Sequence, residues 1–218
     1  MNMKVIRYGN EKSENILIQM IGMHEIPFLE NEVKLIREYS GTDDFQLHAV
    51  KVDDWNRELS PWVAPAVFGD EDFGGQGWTT LKSLLDYIEN EIYGEREEYY
   101  PHLHLGGYSL AGLFALWASY QTHKFEGVAA VSPSVWYPKF EDYISSNDIM
   151  ASRVYLSLGK KEAATRNEMM SQVADKIQRV RDELESEIKV TLEWNEGNHF
   201  KDPDVRMAKG FAWVLNEL

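Results

Sequence analysis

The chain has 218 residues, 44% of them hydrophobic and 27% charged, the values of an ordinary globular protein with a single buried core. A formal net charge of −14 repels phosphate backbones and anionic lipid surfaces, which argues against nucleic-acid and membrane partners. The absence of cysteine removes disulfides, thiolate catalysis and cysteine-ligated zinc, and suits a reducing cytoplasm.

Segment 1–14 lacks an apolar stretch of signal-peptide length, and no apolar run approaches the roughly 20 residues of a spanning helix. The expectation is one cytoplasmic domain over 1–218. Segments 3–8 and 15–21 are short and rich in Ile, Val and Leu, and read as strands, the second ending at a turn on Gly22. Pro27 opens a helix to about 39, and 45–52 is a strand. Segment 53–77 is punctuated by Pro61, Pro65, Gly69, Gly74, Gly75 and Gly77 and reads as a loop. Helical spacing returns over 79–93. A strand at 102–108 runs into a nearly all-apolar helix at 110–120, of the kind buried inside a fold. Strands follow at 127–132, 153–158 and 188–194, with a long amphipathic helix over 163–187 and a closing helix over 205–218. This alternation predicts an α/β fold: a mostly parallel sheet with helices on both faces. Right-handed crossovers bring the C-terminal ends of the strands to one edge, where such folds gather their chemistry.

The strongest local signal is Gly107-Tyr108-Ser109-Leu110-Ala111-Gly112, placed between a strand and a helix. This is the setting of the G-x-S-x-G nucleophile elbow, with Ala111 for the second glycine. The serine must take a strained backbone conformation to project its hydroxyl, and helix and strand then almost touch, so only small residues fit around it. The helix start aims its dipole at the same spot, which makes the Leu110 N–H a candidate oxyanion donor.

A serine hydroxyl needs a base. Of six histidines, His199 has the right place in chain order, in the loop between the last strand and the last helix. His102 and His104 share a strand face without a third ligand, so no metal site is expected. His48 and His123 read as structural, and His24 as a candidate site-lining residue. The acid that holds the imidazole falls to Glu162, just past strand 153–158. The competing reading makes Glu162 a carboxylate favoured by the helix dipole at the start of 163–187. Asp202 and Asp204 lie too close to His199 in sequence to be preferred, and a Ser–His dyad without an acid remains open.

Four stretches resemble the esterase family of α/β-hydrolases related to esterase D, feruloyl esterases and siderophore esterases. They are Gly107-Tyr-Ser-Leu-Ala-Gly-Leu113, Val131-Ser-Pro-Ser-Val-Trp136, Tyr155-Leu-Ser-Leu-Gly159 with Glu162, and Gly197-Asn-His-Phe200. The resemblance implies an α/β-hydrolase fold and catalytic roles for Ser109 and His199, and it makes Trp136 of the 132–136 turn a pocket wall. The N-terminal half departs from the family, carrying Met20-Ile-Gly-Met-His24 in place of an Asp-Gly pair. The second oxyanion donor is expected from 19–23, with the Met20 and Ile21 backbones as candidates. Tyr108, Trp136, Trp62 and His24 are the candidate substrate-binding side chains, with Trp55 and Phe68 as further aromatic surfaces in 53–77. Only 133–152 follows the strand after the elbow, too short for a lid domain, which predicts an open cleft. The expected activity is hydrolysis of a small soluble ester by a Ser-His-acid acyl-enzyme route, without metal or cofactor, in a monomer or homodimer. The rivals are a thioesterase or amide hydrolase with the same triad, and an inactive hydrolase fold that only binds.

Overall fold

Strand β2 (Asn15–Ile21) is buried along almost its whole length, as a stretch of Ile, Leu and Met with Gln19 its one internal polar residue demands of a strand covered on both faces. The structure, a computed structural model, describes residues 3–67, 69–94 and 100–216. In it β2 lies near the middle of a seven-stranded sheet with β1 (Lys4–Gly9), β3 (Gln46–Lys51), β6 (His102–Tyr108), β7 (Gly127–Val131), β8 (Arg153–Gly159) and β9 (Lys189–Asn195). The order is β1-β3-β2-β6-β7-β8-β9. β1 pairs antiparallel to β3, and the other five pairings are parallel. β1 and β9 are the edges.

Two apolar layers follow from the pleat of β2. Leu17 and Ile21 face helices α1 (Leu29–Ser40) and α8 (Pro203–Asn216), packing with Val33, Ile36 and Phe211. Ile16, Ile18 and Met20 face the other layer, which includes α3 (Gly77–Tyr87), α4 (Leu110–Ala118) and α7 (Val173–Glu185). The period-2 alternation of a strand thus assigns each β2 side chain to one layer. Close seating of α8 needs Gly106: a Cβ there would lie 2.6 Å from Phe211 Cζ.

Three segments differ from the sequence expectation. The stretch 53–77 is not plain loop but holds α2 (Trp55–Glu58) and the hairpin β4 (Val63–Ala64)–β5 (Phe73–Gly74). Asp54 supplies the missing start signal by accepting the Arg57 N–H at 3.1 Å. The helix expected over 163–187 divides into α6 (Glu168–Ser171) and α7. Asn167 caps α6 by accepting the N–H groups of Met169 and Met170, so 163–167 stays outside any helix. The helix over 79–93 begins at Gly77 and widens into a π-type turn over Ile88–Tyr93. Between β7 and β8 stands only the short α5 (Phe140–Ile144), so among the described residues no lid domain is inserted there. No helix of the described residues is long and apolar enough to cross a membrane.

Candidate active site

Strand β6 delivers the chain to Ser109, and α4 carries it away. Ser109 holds φ 58°, ψ −119°, a region that costs an L-residue about 1–3 kcal/mol. The surroundings enforce it: the Ser109 N–H donates to Val131 O at 3.0 Å, and its carbonyl accepts the N–H groups of Leu113 and Ser134 at 3.0 and 3.1 Å. A Cβ on Gly107 would lie 2.6 Å from both the Ala111 carbonyl carbon and its Cβ, which is the physical reason for glycine before the bend. Ser109 is half-buried, and its Oγ lies 3.4 Å from Ser134 Oγ. Leu110 opens α4, so its N–H has no partner within the helix.

Glu162 and His199 meet. Glu162 Oε2 accepts from His199 Nδ1 at 2.7 Å. The other carboxylate oxygen, Oε1, accepts from the Gly159 N–H (2.6 Å), Ser132 Oγ (2.7 Å) and Arg206 Nη1 (2.9 Å). Burial alone would push this carboxyl up, but the bond and charge of His199, with the Ser132 and Gly159 bonds, hold it below the usual range. Because α6 starts only at Glu168, Glu162 sits in a turn six residues earlier, and the helix-dipole reading of it falls away. Of the two late aspartates, Asp204 accepts from Asn31 Nδ2 at 2.7 Å, and Asp202 is exposed with φ 52°; no hydrogen bond ties either to His199.

The histidine loop is docked against the elbow strand. Tyr108 Oη donates to His199 O at 2.7 Å, and the two rings stand 5.3 Å apart. Ser109 and His199 therefore occupy the same edge of the sheet, ninety positions apart in sequence. Among the described residues no hydrogen bond joins Ser109 Oγ to His199, and Nε2 has no partner. Such bonds tighten in many enzymes only when substrate is bound.

The segment 19–23, expected to supply a second oxyanion donor, differs in detail from expectation. Met20 and Ile21 are strand residues in the ladder of β2, with Met20 opposite Gly107 and Ile21 opposite Lys51, so their N–H groups belong to the sheet. The loop proper starts at Gly22, level with Ser109 in that register. Gly22 donates its N–H to Glu25 Oε2 at 2.7 Å, and the Met23 N–H has no acceptor among the described residues.

Glu25 is itself unusual. Burial lifts its carboxyl to about 7, against the lowering effect of the Gly22 bond. Glu32, fully buried beside Gln19 Nε2 at 3.3 Å, is raised as well, first by burial and then with a contribution from Glu25. A carboxyl whose folded pKa exceeds its unfolded value stabilises fully below pH 4.5, and that contribution is lost as pH rises through about 7. The gap between 4.5 and about 7 corresponds to about 3 kcal/mol. Glu25→Gln keeps an acceptor for Gly22 and removes the titration. Chemical denaturation between pH 5 and 8 should show the wild type losing stability relative to this variant as pH rises; parallel curves would refute the effect.

The remaining candidates are mostly scaffold. Tyr108 is buried, and its hydroxyl bonds to His199 O and Arg206, tying the elbow strand to the histidine loop. Trp136 is buried against Phe73. Trp62 donates to Pro138 O and packs on Tyr137 and Tyr143. Trp136 is buried and Trp62 half-buried, and both pack on aromatic neighbours, as their large apolar area favours. His24 is exposed and stands edge-on to Trp55; Phe68 lies outside the described residues. His102 pairs with Glu126 at 2.7 Å, whereas His104 is fully buried, and burial with the nearby Arg153 charge pulls it down to about 3, keeping it neutral. His48 is buried between Gln46 and Tyr87.

Sequence reasoning missed Arg206, Ser132, Gly159 and Glu25 as contributors. The one available signal was a basic residue at 206 set among Val205, Met207 and Ala208 in an apolar helix.

No protein-family model and no curated protein sequence matches the chain. Solved structures do. An IroE-like serine hydrolase from Shewanella oneidensis aligns over 97% of this chain and 75% of its own, with TM-score 0.74 and 12% identity. Siderophore hydrolase EstA from Aspergillus nidulans aligns over 99% and 95%, with TM-score 0.71 and 15% identity. The Bacillus cereus carboxylesterase aligns over 97% and 94%, with TM-score 0.63 and 10% identity. With the sheet order and the elbow, these likenesses show that the chain has the α/β-hydrolase fold.

Proposed function

We propose that the protein is a serine hydrolase that cleaves a small ester through a Ser109–His199–Glu162 triad. One observation carries the reading: a strained serine at a strand–helix elbow shares a sheet edge with a histidine bonded through Nδ1 to a buried carboxylate. That combination has a cost in backbone strain and buried charge that packing alone does not require. The names of the structural neighbours, hydrolases and esterases, agree with it.

In this mechanism Ser109 Oγ attacks the ester carbonyl carbon, and its proton passes to His199 Nε2. Glu162 fixes the tautomer with the proton on Nδ1 and stabilises the imidazolium. The Leu110 N–H and the unpartnered Met23 N–H hold the developing oxyanion. The tetrahedral intermediate collapses, the C–O bond to the alcohol breaks, and His199 returns its proton to the leaving oxygen. Water then enters with His199 as base and releases the acid, restoring Ser109. The short connection between β7 and β8 suits soluble esters.

A fluorophosphonate probe followed by peptide mapping tests this directly. Labelling should fall on Ser109, and short p-nitrophenyl esters should be hydrolysed faster than matched thioesters or anilides. A native protein that neither labels nor hydrolyses any of the three classes would leave the inactive binding fold as the answer. Preference for thioester or anilide would move the assignment to that class.

A further inference from the structure

Arg206 is the most fully buried charged side chain near the site, at 2% exposure. Its fork joins five oxygens from four parts of the chain. Nη1 lies 2.9 Å from Glu162 Oε1, 3.1 Å from Tyr108 Oη and 3.2 Å from Ser132 Oγ. Nη2 donates to the carbonyls of Glu196 at 3.0 Å and Asn198 at 2.9 Å. The first group is the acid with its supports on β6 and after β7; the second is the backbone immediately before His199. Gly159 leaves the space: a Cβ there would lie 2.9 Å from Glu162 Oε1, 3.0 Å from Arg206 Nη2 and 2.6 Å from Gly197 O.

A buried guanidinium costs much desolvation and is tolerated when its bonds are filled. Simple stability could be reached with an apolar residue on this otherwise apolar face of α8. What an apolar residue could not do is tie a carboxylate and a loop backbone to one rigid plane. The fork geometry of arginine does this, and a lysine ammonium cannot span the same acceptors. With Oε1 anchored, the carboxylate plane is fixed, and Oε2 is the oxygen left to His199. With the 196 and 198 carbonyls anchored, the imidazole's own backbone is fixed from the other side. Tyr108 closes the circuit, bonding both to Arg206 and to His199 O.

We infer that Arg206 is a positioning residue that locks Glu162 and the His199 loop in register with each other. The inference rests on the triad reading above. The expected result for Arg206→Lys is a kcat lowered by about a hundredfold, the scale of a small misplacement of reacting groups, with KM changed by less than about threefold. Rates are expressed per active site, counted by fluorophosphonate titration, so that partial unfolding does not imitate the effect. The second readout needs no substrate: the far-downfield proton resonance of the His199 Nδ1–H bonded to Glu162, assigned by its absence in His199→Gln. It should be present in wild type and broadened or lost in Arg206→Lys and Arg206→Met.

A folded Arg206→Lys with wild-type kcat and an intact resonance overturns the inference, as does a loss of rate that vanishes once active sites are counted. Where the Arg206 variants fail to fold, Tyr108→Phe decides, since it removes one hydroxyl from the circuit. It should lose about tenfold in kcat with KM held and weaken the resonance; unchanged values overturn the clamp. If wild type hydrolyses no ester but the resonance still collapses in Arg206→Lys, the clamp stands and the hydrolase reading falls.

Discussion

Ser109→Ala is expected to lower kcat for ester hydrolysis by about 10⁶-fold, the scale seen when a triad nucleophile is removed. KM should stay within a few-fold, since the hydroxyl contributes to bond formation rather than to holding the ground state. The fluorophosphonate adduct should disappear with it. Folding should be almost unaffected, because alanine keeps the Cβ and hence the strain of φ 58°. Ser109→Gly separates the two effects. Glycine takes positive φ freely, so this variant should gain about 1 kcal/mol of stability, most of the strain returned less glycine's extra unfolded-state freedom. It should be as inactive as Ser109→Ala. Thermal unfolding of the three proteins, set beside single-turnover rates, checks both statements. Retention of substantial hydrolysis by Ser109→Ala would place the chemistry elsewhere.

Glu162→Gln is expected to reduce kcat by about 10³- to 10⁴-fold while leaving the nucleophile intact. The argument is one of tautomers. Oε1 faces three donors, from Gly159, Ser132 and Arg206, so the glutamine oxygen is drawn to that side. Its NH₂ group is then left opposite His199 Nδ1, which must become an acceptor. The ring proton moves to Nε2, and the base can no longer take the serine proton. A second consequence is thermodynamic. The variant leaves the buried Arg206 guanidinium without its counter-charge, which costs about 3–5 kcal/mol when one partner of a buried pair is removed. The Glu162 carboxyl is held below its ordinary value of 4.5. Its contribution is therefore present above pH 4.5 and lost as pH falls through the lower folded value. Wild type and variant should differ most in denaturant midpoint at neutral pH and converge in acid. A difference that is constant from pH 3 to 7 would show that the carboxylate charge is not what Arg206 answers.

The elbow was legible because its requirements are local. A strand, a tight bend and a helix within about fifteen residues leave a direct trace in small side chains at 107, 111 and 112, and in an apolar run after Ser109. His199 was legible through chain order, since a parallel sheet sends every post-strand loop to one edge. Glu162 was legible in position, though the helix expected to begin beside it starts at Glu168. The amphipathic pattern of α7 (Val173–Glu185) invites extension backwards, and nothing in 163–167 is a strong breaker. The Asn167 cap, bonded to Met169 and Met170 N–H, decided the boundary.

The surroundings of the aromatic candidates are not written in the sequence, for a different reason. Tyr108 and Trp136 stand next to candidate site positions in sequence, but adjacency along a strand or turn does not fix which way a side chain points. The layers on either side of the sheet claimed both. Within the expected 19–23 segment, Met20 and Ile21 are ladder residues because β2 runs on through Ile21 in register with β3 and β6, and the end of a strand depends on its neighbours.

From the sequence alone came the parallel-sheet architecture, the nucleophile candidate and the candidate base, because each is written in periodicity, in the sterics of small residues or in chain order. Chain order offers Glu162 as the partner of His199, but only the tertiary structure decided that the two meet, that Glu25 holds the Gly22 N–H, and that Arg206 joins Glu162 to the histidine loop. Those contacts bridge 37, 3 and 44 positions. They are set by which oxygens a folded backbone leaves facing a buried donor, and no pattern of residue types along the chain encodes that choice.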